Sequence, residues 1–98
     1  MPVAEFGGTT YTSQFSFSAT VDPANHTAVA SVDTDVLNAL VKTGDVVIAA
    51  PPATLEAGIV VQGCHTVING AFKLRTTNAS AGAINPASAS WTFVVLRR

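Results

Sequence analysis

The chain has 98 residues, of which 48% are hydrophobic and only 11% charged, with a net charge of −1. That length supports one domain, and so apolar a composition excludes a disordered polyelectrolyte, since about 25% charge is ordinary for a folded domain. Five Lys/Arg against six Asp/Glu exclude a basic nucleic-acid module or a polybasic membrane anchor.

Residues 1–13 read as an N-terminal arm, with Gly7-Gly8 before Thr9-Thr10-Tyr11-Thr12. The start holds neither Lys nor Arg nor an apolar core, so no secretory signal is expected. From Gln14 to Val21, Phe15, Phe17, Ala19 and Val21 alternate with polar residues, which predicts a half-buried strand. Asp22-Pro23-Ala24-Asn25 predicts a turn, and Thr27–Val32 a second strand. Val36–Val41 fits either a short helix capped by Thr34 or Asp35, or a strand. Lys42–Asp45 is a turn, and Val46–Ala50 a short buried strand ended by Pro51-Pro52.

Residues 57–68 hold one or two strands, bent near Gly63. Asn69-Gly70 predicts a type I′ hairpin turn, with both residues at positive φ. The returning strand puts Phe72, Leu74 and Thr76 on one face and Lys73 and Arg75 on the other. A loop of small residues, 78–88, precedes the last strand, Trp91–Leu96. About seven short strands predict an all-β, single-domain antiparallel β-sandwich or jelly-roll-like fold over residues 14–98. Its expected core is Phe15, Phe17, Val29, Val47, Phe72, Leu74, Phe93 and Val95.

Chemistry-bearing motifs are sparse. His26 and His65 lack the paired clusters of a zinc site, so neither a metal nor a cofactor is expected. Cys64 and His65 are adjacent, and adjacent strand residues point to opposite faces, a poor geometry for nucleophile and base. Cys64 is the only cysteine, so no disulfide forms within the chain; a lone thiol suits a reducing cytosol. Asp33, Asp35 and Asp45 read as turn and cap residues. No phosphate loop, dinucleotide fingerprint or hydrolase elbow is present, and the expectation is a non-enzyme. Arg97-Arg98 reads as a solvated end or a pair for an acidic partner.

Low charge with abundant Ala, Ser, Thr and Asn gives a surface cheap to desolvate against a neighbour, which predicts a homo-oligomer or shell component. Phe6 and Tyr11, in the arm and without core partners at strand spacing, are the expected intersubunit contacts.

Thr43-Gly44-Asp45-Val46-Val47, Pro51-Pro52, Leu55, Gly58, Asn78, Ala83–Ser88 and Trp91–Leu96 together resemble small β-rich structural proteins of tailed bacteriophages, some of which decorate or cement capsids. The resemblance implies a virion protein on the capsid exterior, made in the host cytoplasm, often a homotrimer. Its partners would be the major capsid protein and itself, with neither nucleic acid nor membrane. A carbohydrate- or receptor-binding module of a tail or fibre is the alternative, with the Asn78–Ser90 loop as its site.

Overall fold

The computed structural model describes residues 4–6, 9–11 and 13–98, with side chains from residue 13 onward. Its strands are β1 (Ala4–Phe6), β2 (Thr9–Tyr11), β3 (Ser13–Val21), β4 (Ser31–Leu37), β5 (Val46–Ala50), β6 (Ile59–Ile68), β7 (Ala71–Asn78) and β8 (Ala89–Arg97). β1 and β2 form a ladder of their own, apart from two three-stranded antiparallel sheets ordered β3-β8-β5 and β4-β7-β6. The fold is all-β, a small sandwich of two open sheets. The Phe6 and Tyr11 side chains, expected as intersubunit contacts, lie outside the described residues.

Strict alternation builds the core. Along β7, Phe72, Leu74, Thr76 and Asn78 point inward; along β8, Trp91, Phe93 and Val95 do. The sheets meet through aromatic rings. Phe93 of β8 meets Phe72 of β7 edge-on at 5.1 Å between centroids, and Phe17 of β3 lies 5.4 Å from Phe93. Such pairs add about 0.5–1.5 kcal/mol each beyond area burial. Val21, Val36, Val41 and Val47 fill around the rings. Of the expected core, Val47, Phe72, Leu74, Phe93 and Val95 are buried. Phe15 and Phe17 are only half-buried, because β3 is an edge strand.

Val29 departs from expectation. It is 76% exposed, and its strand begins at Ser31 rather than Thr27. Residues 27–30 are a turn closed by the Ala30 N–H on the Thr27 carbonyl at 3.2 Å, with Val29 at φ +58°. The turn is fixed from β7: the Asn78 N–H donates to Ala30 O at 2.9 Å and its side-chain amide to Thr27 O at 3.3 Å. A β-branched residue in this region is strained by about 1–2 kcal/mol. Being exposed, Val29 offsets little of that by packing. Val29→Gly should therefore raise stability by about 0.5–1 kcal/mol after the flexibility glycine adds to the unfolded chain. A melting temperature about 2–8 °C higher would register it; an unchanged or lower one would show an unstrained turn.

Two further local readings change. β4 runs through Leu37 and the chain then turns, with Val41 N–H on the Asn38 carbonyl at 3.1 Å, so no helix forms over Val36–Val41. At the β6–β7 hairpin only Gly70 has positive φ, +86°, so the turn is not type I′. The Asn69 side chain is occupied instead: its Oδ1 accepts from the Thr43 N–H at 3.0 Å, tying the hairpin tip to the β4–β5 loop. The bend near Gly63 is present as a shift in register between Val61 and Gly63, and a second shift follows His65, where Thr66 takes φ +50°.

Candidate functional site

The outer face of β4-β7-β6 is laid out in rows by the register. Ser31, Thr77 and Val60 form one row, Asp33, Arg75 and Gly63 the next, then Asp35, Lys73 and His65, and last Leu37, Ala71 and Ile68. Asp33 and Asp35 are therefore strand residues rather than turn or cap residues. They alternate outward because Val36, with Thr34 and Val32 at a period of two, faces the core. Arg75 grips Asp33 with two bonds, Nε at 2.8 Å and Nη2 at 3.1 Å, and His65 Nε2 lies 3.1 Å from the same carboxylate. The Arg75 guanidinium, with His65 beside it, holds the Asp33 carboxyl well below the usual carboxylate range. Lys73 Nζ lies 2.7 Å from Asp35, which raises the lysine's own proton affinity. The middle of this face thus cancels its own charge. Exposed pairs of this kind contribute little to stability.

Beyond the charged rows the surface becomes apolar. Leu37 is 77% exposed, Leu40 64% and Ile68 51%. Leu37 and Ile68 flank Ala71 in one cross-strand row, where a shallow cleft runs on to Asp35 and Lys73, and Leu40 stands in the adjoining loop. Each of these aliphatics belongs to a doublet whose partner faces inward. Val36 and Val41 are buried, and Val67 packs on the core. Large exposed aliphatics grouped at one pole mark a contact surface. None was among the expected site residues. The signal in the sequence is the doublet itself, since adjacent side chains of a strand point to opposite faces.

Asp45 and Arg97 brace this pole from beneath. The Asp45 side chain is 3% exposed and takes two bonds from Arg97, at 3.0 and 2.8 Å, while Arg97 also donates to Leu40 O at 2.8 Å. Arg97, and then the Lys42 N–H, hold the Asp45 carboxyl below its ordinary range, against the desolvation that would raise it. Arg97 is thus spent within its own chain rather than left as a solvated end.

Among the described residues, the other outer face, on β3-β8-β5, carries no ionisable side chain. Its rows are Gln14, Leu96 and Val46, then Ser16, Val94 and Ile48, then Ser18, Thr92 and Ala50, ending on Thr20 and Ser90.

The remaining chemistry-bearing residues are built into the fold. His26 is fully buried: Nδ1 donates to Ala24 O at 2.8 Å, and Nε2 lies 2.7 Å from the Thr76 hydroxyl. Cys64 packs on the core, and burial pushes its thiol up to about 11. His65 lies on the outer face with Asp33, so the two neighbours point apart. Among the described residues no group of three or more His, Cys, Asp or Glu is placed to hold a metal ion. A recess at the far end, between Pro23, Pro52, Leu55 and Pro86, has Trp91 at its base. That ring is 1% exposed, and the neighbouring Glu56 carboxylate is taken by the Ala87 N–H at 2.9 Å. No protein-family model, curated protein or solved structure matches the chain.

Proposed function

We propose that the protein is a non-enzymatic assembly module that docks on a larger protein shell through the Leu37–Leu40–Ile68 pole. The observation that carries this reading is the grouping of three exposed large aliphatics on a rigid end of the sandwich. Two strands, a hairpin tip and the Asp45–Arg97 brace hold them, so little ordering entropy opposes binding. Given the resemblance above, the shell we propose is a bacteriophage capsid and the docking partner its major capsid protein. The mechanism is mechanical. Each bound copy adds contacts that must be lost before the shell separates, and a shell repeats that gain at every site. A sugar- or receptor-binding role in the Asn78–Ser90 loop calls for displayed aromatics, and among the described residues no aromatic side chain is exposed.

The test is retention on purified capsids of the phage carrying this chain. Leu37→Lys with Ile68→Lys should leave the fold intact, both positions being exposed, and weaken retention about tenfold or more. Bound copies of the unsubstituted chain should scale with the major capsid protein. Equal retention of the double variant, or no binding by the unsubstituted chain, would overturn the proposal.

A further inference from the structure

Among the described residues, β3, β5, β4 and β6 each have a ladder partner on one side only. Natural sheets block such edges with charge, proline, bulges or shortness. Three of the four carry such a device. β4 bears Asp33 and Asp35. β5 is five residues long, runs into Pro51-Pro52 and lies against β6. β6 is interrupted by its two register shifts.

β3 has none. It is nine residues long and pairs with β8 without a break from Ser13 opposite Arg97 to Val21 opposite Ala89. It contains no charge, no proline and no glycine. Antiparallel geometry turns about half of its backbone N–H and C=O groups away from β8, a template about 30 Å long. Its inward aromatics, Phe15 and Phe17, are half-buried, on the flank where β3 and β4 scarcely meet.

We propose that β3 pairs antiparallel with β3 of a second copy, about a two-fold axis at Phe17, to make one six-stranded sheet across the dimer. The composition of β3 selects this occupant. A two-fold sets the strand against its own reverse, so a strand carrying charge of one sign repels its copy, and neutral β3 meets no such repulsion. A foreign strand would impose no such condition. In this register Phe17 meets Phe17 and Phe15 meets Ala19 on the inner side, while Ser16 meets Ser18 and Gln14 meets Thr20 on the outer side. The symmetry is two-fold, not the three-fold that the resemblance implies. The pairing uses none of Leu37, Leu40 or Ile68, so it stands or falls apart from the docking proposal.

Sedimentation of the full chain at tens of micromolar should give twice the chain mass. Ser16→Lys with Ser18→Lys sets lysine against lysine only in the dimer. That variant should sediment as a monomer with its β-sheet spectrum retained, as should Ser16→Asp with Ser18→Asp. An equimolar mixture of the two should recover the dimer. Ile48→Lys, on the same face but on β5 at the opposite edge of the sheet, should leave the dimer whole. Hydrogen exchange needs no substitution: alternate β3 amides should be protected at high concentration and exposed on dilution. A monomer or trimer of the unsubstituted chain would overturn the pairing. So would a lysine variant that stays dimeric, a mixture that stays monomeric, a dimer lost in Ile48→Lys, or β3 amides indifferent to dilution.

Discussion

Phe93→Ala should cost about 3–5 kcal/mol, a large share of the ~5–15 kcal/mol that holds a domain together. Phe93 is fully buried at the middle of β8, the central strand of its sheet. Its ring meets Phe17 at 5.4 Å and Phe72 at 5.1 Å, and lies 6.5 Å from Trp91. Truncation removes the closer of the aromatic contacts that Phe72 makes across the sheets, and leaves Phe17 at 6.2 Å. The hole cannot close easily, because β8 is held by strands on both sides. At about 4–8 °C per kcal/mol the melting temperature should fall by at least ~12 °C. Phe15→Ala, at a half-buried edge position, should cost clearly less. Equal losses at the two positions in thermal melts would show that the core is not centred on Phe93.

Side-chain alternation made β3, β7 and β8 legible, because a period of two with aromatics on one side has one reading. Pro51-Pro52 and the Lys42–Asp45 turn mark the two ends of β5. The misreadings share a cause: long-range contacts decided them. Thr27–Val32 is rich in β-branched and small residues, which carry propensity but little sidedness. Its first four residues become a turn because Asn78 binds Thr27 O and Ala30 O, and only Ser31 and Val32 join β4. Asn69-Gly70 marks a hairpin tip, yet Thr43 engages the Asn69 side chain and the turn takes another form. The charged rows were half legible. Lys73-Leu74-Arg75 alternates, and Asp33-Thr34-Asp35 has the same period with opposite sign. Set antiparallel, the two segments match as Asp33 with Arg75 and Asp35 with Lys73. The apolar pole was hidden in plain doublets, since a list of hydrophobic residues does not say which member of each faces water.

Asn78→Ala should cost about 2–4 kcal/mol, more than any surface substitution and with no charge involved. Asn78 ends β7 and is fully buried. Its Nδ2 donates to Gly82 O at 2.7 Å and Thr27 O at 3.3 Å, while its Oδ1 accepts from the Ser80 N–H at 2.9 Å and hydroxyl at 2.7 Å. One side chain thus ties the β3–β4 turn to the β7–β8 loop. Alanine removes both donors and the acceptor and leaves their partners to find water. Asn78→Asp separates loss of donors from burial of charge. It keeps the acceptor oxygens but faces carbonyls where the amide donated, so its carboxyl is more easily protonated folded than unfolded. A raised folded pKa is stabilising below the unfolded value of about 3.9 and is lost as pH rises. Relative to the unsubstituted chain at the same pH, Asn78→Asp should therefore lose more stability at pH 7 than at pH 4, and Asn78→Ala the same at both. Urea unfolding at the two pH values measures this. A loss below about 1 kcal/mol for alanine would place the strength of the loop elsewhere, in the paired His26 and Ile84 backbone bonds of 2.8 and 2.9 Å that join the same two segments.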